Sequence, residues 1–157
     1  MSTVYFYHLT ESPVEQTLPA LLQKCADAGW PVVIRGGDAG RMEQLDRALW
    51  LAGEGSFLPH GLEGGAHDAV QPVLLCTSPK PAAPGGCLMS VDGAEVLPTE
   101  AAGLARICIL FDGSDEQAVN HARTQWKKLT DAGLAAQYWA QEQGRWIKKS
   151  EKSASNA

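Results

Sequence analysis

The segment Arg106–Gly133, RICILFDGSDEQAVNHARTQWKKLTDAG, carries the clearest pattern in the chain: a short apolar run passing directly into an amphipathic one. RICILF is dense in β-branched and aromatic residues and predicts a buried strand. After the turn, Ala118, Val119, Ala122, Trp126, Leu129 and Ala132 recur at three- and four-residue spacing, which predicts a helix with one apolar face. Ser114 is the expected N-cap, with Gln117 closing a capping box and Asp115 and Glu116 facing the positive end of the helix dipole. Gly133 stands where a C-terminal cap belongs. Beside the apolar stripe, Arg123 and Lys127 are four residues apart and project on one side.

The same strand-then-helix alternation recurs on either side of this segment. Thr3–Leu9 predicts a buried strand, followed by a helix from Pro13 to about Ala28, in which Pro19 would force a kink or a later start near Thr17. Pro31–Arg35 predicts a strand, Gly36–Gly40 a turn, and Ala39–Ala52 a helix. Gly53–Gln71 reads as a long irregular loop. Within it, Phe57 is either a plug on the core or one wall of a pocket, and His60 and His67 lack partners at metal-ligand spacing. Pro72–Thr77 predicts a central strand, Ser78–Gly86 a mobile hinge, Cys87–Val91 a strand and Thr99–Ala105 one or two helical turns. Ala135–Ala140 predicts a last edge strand, Gly144–Ile147 a short terminal segment and Ser150–Ala157 a disordered tail. The expected architecture is α/β: one three-layer α/β/α domain over residues 1–149, with a mostly parallel sheet, and a tail over 150–157.

Composition bounds the function. The 157 residues are 45% hydrophobic, enough for a sizeable core, and hold no apolar run of membrane-spanning length. The start, MSTVYFYHLTESP, lacks the pattern of a signal peptide, so a cytoplasmic protein is expected. Cys25, Cys76, Cys87 and Cys108 form no C-x-x-C pair and read as buried thiols, so neither a metal nor another cofactor is expected. The net charge of −5 is unevenly shared, with +4 over residues 121–157 and −9 over residues 1–120. A basic end on an acidic body suits a short acidic ligand better than a long nucleic acid.

A parallel α/β sheet also raises the alternative of a nucleotide-dependent enzyme on a Rossmann-like fold. The residues argue against it. The glycines at Gly36–Gly40 match neither phosphate-binding fingerprint, and there is no G-x-S-x-G nucleophile elbow. Asp112 and Arg35 stand at strand ends without a paired acid and base, and Asp112 is expected to cap a turn.

Four motifs in order, YFYHL at the start, LDRALW at Leu45–Trp50, SFLPH at Ser56–His60 and AR-x-x-W-K-x-x-x-x-AG at Ala122–Gly133, resemble the chi subunit of bacterial DNA polymerase III holoenzyme. The resemblance covers about residues 3–147. It implies a non-catalytic fold similar to mononucleotide-binding folds but without a phosphate loop. It further implies a replisome adaptor linking the clamp-loader complex to the acidic C-terminal tail of single-stranded DNA-binding protein, usually as a pair with a psi subunit. DNA would then be contacted only indirectly. Carried over by motif position, Arg123 would hold the tail's terminal carboxylate, Lys127 its aspartates, and Phe57 the terminal phenylalanine ring, with Trp126 at an aromatic motif position. Val119 stands where some members carry a further lysine, and Arg145, Lys148 and Lys149 are candidates for substitute charge.

Overall fold

The computed structural model describes residues 3–11, 13–51, 60–63, 72–77 and 84–153. Among them the chain forms eight strands in one sheet, ordered β3-β4-β2-β5-β6-β1-β7-β8, and three α-helices. β1 (Thr3–Leu9), β2 (Val32–Arg35), β3 (His60–Leu62), β4 (Val73–Cys76), β5 (Cys87–Ser90), β6 (Arg106–Asp112) and β7 (Ala136–Glu142) pair in parallel, and β8 (Arg145–Lys152) closes one end antiparallel to β7. The expected α/β sheet, mostly parallel, is what the protein adopts.

The strands alternate their side chains between two cores. Tyr7, Leu9, Ile34, Leu75, Met89, Cys108 and Leu110 face α1 (Val14–Asp27) and α2 (Ala39–Leu51). Val4, Phe6, Val33, Leu88, Ile107, Ile109 and Phe111 face α3 (Glu116–Asp131). Helices on both faces make three layers, and strands buried on both sides explain the unbroken apolar runs. All four cysteines are buried thiols.

Several local expectations are corrected. α1 starts at Val14 and runs through Pro19. Burial of Leu18, Leu21, Leu22 and Cys25 offsets the lost hydrogen bond, a loss of about 3 kcal/mol in an unsupported helix. The loop expected over Gly53–Gln71 contains β3, recruited by the free edge of β4. β7 is internal, not an edge, because β8 covers it. That last strand extends to Lys152, into the stretch expected as a tail from Ser150. Phe57, His67 and most of the expected hinge lie outside the described residues.

Candidate functional site

α3 is positioned by what precedes it. Asp112, the last residue of β6, accepts from the backbone N–H of Ser114 at 2.9 Å and from its hydroxyl at 2.6 Å. Asp112 therefore caps the turn, as expected, and Ser114 is consumed by it. The helix cap passes to Asp115, whose carboxylate accepts from the backbone N–H groups of Gln117 and Ala118. Gly113 is required in this turn: a Cβ there would fall 2.0 Å from His8 Cδ2 and Nε2. At the other end Gly133 takes φ +95°, and its N–H reaches the Thr130 carbonyl at 2.9 Å, the left-handed cap expected from the sequence.

The helix buries Ala122, Gln125 and Leu129 and turns Arg123, Thr124, Lys127 and Lys128 outward. Gln125 accepts from the Val96 N–H at 2.8 Å, tying the middle of α3 to the segment after β5. Trp126 lies inward, its ring 5.3 Å from Phe6 and 6.1 Å from Tyr138, so it is packed against the sheet. His8 Nδ1 and the Tyr138 hydroxyl lie 2.6 Å apart, and both rings contact Phe111. Burial lowers the His8 imidazole and raises the Tyr138 phenol. The Arg123 charge also acts to lower both groups, a smaller influence than burial.

The outward cations differ in what they hold. Lys127 pairs with Asp131 at 2.7 Å, the two side chains 78% and 57% exposed, which raises the lysine and lowers the carboxylate through their hydrogen bond. Lys128 pairs with Glu95 at 2.6 Å. Arg123 makes no ion pair among the described residues. A shallow concavity of about 490 Å³ is lined by Arg123, Thr124, Lys127, Lys128 and Asp131. The structure thus brings Arg123 and Lys127 together on solvent, with Trp126 on the same helix but turned to the core. Sequence reasoning missed His8 and Tyr138. The only signal was the aromatic density of YFYHL and AAQYWA, which does not reveal that they meet across adjacent strands.

A larger cavity, about 780 Å³, opens at the carboxyl ends of β1 and β6, where a nucleotide would sit in a Rossmann-like fold. Its cation, Arg41, is engaged by Glu15 and Asp92. Asp112 and Asp115 add further negative charge to the wall. Burial raises Asp92 despite the opposing pull of Arg41. The lining is therefore net acidic. Arg35, the other strand-end cation, is structural: its fork meets Glu100 at 2.7 and 3.0 Å and its Nη1 donates to the Glu95 carbonyl at 3.0 Å.

No helix among the described residues is long and apolar enough to cross a membrane. A family model described as DNA polymerase III chi subunit, HolC, matches residues 1–137. No curated protein matches the chain.

Proposed function

The chain belongs to the DNA polymerase III chi-subunit family, and from that premise we propose that it is a non-catalytic, cytoplasmic adaptor that captures the acidic C-terminal tail of single-stranded DNA-binding protein on α3. The observation that carries the reading is the Arg123 guanidinium: exposed, without an ion pair among the described residues, and lining one shallow concavity with Lys127. A guanidinium fork binds a carboxylate bidentately, and a terminal carboxylate is the ligand that such a tail presents. Lys127, one turn on, serves the aspartates behind it. Its pair with Asp131 is exposed and readily exchanged for an incoming carboxylate. Phe57 is assigned to the terminal phenylalanine ring from its motif, whereas the packing of Trp126 on Phe6 and Tyr138 makes that residue a support for the helix. The remaining surface serves a psi subunit or a clamp-loader component, and DNA is reached only through these partners.

The test is a titration of a fluorescent peptide ending in aspartates, proline and a free terminal phenylalanine into the wild-type protein and Arg123→Ala. Binding in about the micromolar range is expected, weakened by salt and lost in the variant. Binding unaffected by the substitution keeps the role and moves the site away from Arg123, with the segment 145–149 next in line. Nucleotides are expected to leave the melting temperature unchanged, because the crevice that would receive them is acidic.

A further inference from the structure

The two ends of the sheet are unequal. β3 is three residues long, whereas β8 runs for eight and is the outermost strand on its side. β8 lies beyond the residues that match the family model. It is firmly seated: Trp146 packs edge-on against Tyr7 at 5.2 Å, and the turn before it is held by the Gly144 N–H donating to Glu11 at 2.8 Å. Its sequence, RWIKKSEK, contains no proline and carries a net +3 from Arg145, Lys148, Lys149, Lys152 and Glu151. The register shifts between Tyr138 and Trp139, leaving Lys149 as an extra residue between Lys148 and Ser150.

We propose that the outer edge of β8 is a docking strand for an acidic, extended segment of a partner protein, bound by strand addition. An edge strand presents a row of backbone donors and acceptors to any extended chain. Lysines and a bulge guard such an edge against a second copy, because antiparallel pairing would set +3 against +3. The same charges favour an acidic strand, so the device that excludes self-pairing also selects the partner. Lys148 and Lys149 hold Glu151 and Glu142 in exposed pairs, which an incoming carboxylate displaces at little expense. Because Trp146 already fixes the strand, little ordering is needed on this side when the partner binds.

The experiment uses a capped peptide of alternating glutamate and valine, as long as β8 and without a free carboxyl terminus or phenylalanine. The full chain is titrated by fluorescence anisotropy, and amide exchange is followed with and without the peptide. Salt-sensitive binding is expected, with outward β8 amides slowed about tenfold or more. The combined Lys148→Glu, Lys149→Glu and Lys152→Glu variant changes exposed side chains only, so its circular dichroism is expected to match wild type while affinity falls at least about tenfold. Arg123→Ala is expected to bind this probe normally, which separates the edge from the α3 site. The proposal is overturned by no binding, by binding without protection in β8, by undiminished binding in the charge-reversed variant, by dependence on Arg123, or by a concentration-dependent dimer that already occupies the edge.

Discussion

Arg35 and Arg123 place the same guanidinium in opposite circumstances. The Arg35 side chain, 6% exposed at the carboxyl end of β2, faces Glu100 across a bidentate contact. The Arg123 side chain stands on the solvent side of α3, with no ion pair among the described residues. Removing a charge from water must be compensated by a fixed partner, so a buried arginine is committed to the fold. An exposed one needs no such partner, because water solvates its fork. Arg41, engaged by Glu15 and Asp92, belongs with Arg35, and the cavity beside it is therefore acidic. The contrast separates arginines held by carboxylates from one that makes no ion pair among the described residues.

The largest effect should come from breaking the committed pair. Glu100→Ala leaves Arg35 buried without its carboxylate and is expected to cost about 3 kcal/mol in denaturant unfolding. Burial acts to raise Glu100, but the Arg35 fork and the Leu97 N–H outweigh it, so its folded pKa lies below the ordinary 4.5. The stabilisation is therefore complete above the ordinary glutamate range and is lost as pH falls through the lowered value. Wild type should lose stability in acid more steeply than Glu100→Gln; equal slopes would remove the pair from the account.

Gly113→Ala tests how α3 is placed. The new methyl group meets the His8 ring, and a loss of about 2 kcal/mol is expected, with the His8 ring resonance shifted as its contact with Tyr138 is displaced. Unchanged stability would mean that the turn yields freely and that α3 is less rigidly aimed than its contacts imply.

Arg123→Ala should do the reverse of Glu100→Ala. Stability is expected to stay within about 0.5 kcal/mol of wild type, while tail-peptide affinity falls at least about tenfold, or about 1.4 kcal/mol. Measurable destabilisation without loss of binding would place Arg123 with Arg35. The smallest effect is expected from Lys127→Ala, a weakening of about threefold that fades as salt rises, because this exposed cation acts at a single point.

Elements whose periodicity and caps are local were legible beforehand: β6, the apolar face of α3 and its glycine stop all follow from neighbouring residues. Features decided by competition were not. Ser114 was a reasonable cap until Asp112 claimed both its N–H and its hydroxyl, leaving Asp115 for the helix. β3 forms because β4 offers it an edge, and nothing in the three residues HGL announces a strand. β8 pairs with β7 along its length and is seated by Trp146 against Tyr7, a contact across most of the chain.

By itself the sequence determined the alternation of strand and helix, the apolar surfaces of both cores, the four family motifs and the spacing of Arg123 and Lys127 along α3. Those follow from repeats of two and about four residues, which the backbone geometry converts directly into faces. Only the tertiary structure decided that Arg35 is held by Glu100 while Arg123 makes no ion pair among the described residues, that Trp126 packs against Phe6 and Tyr138, and that the outermost strand beside β7 is basic. Charge pairing and burial depend on which distant segments arrive within a few ångströms, and no local pattern encodes that distance.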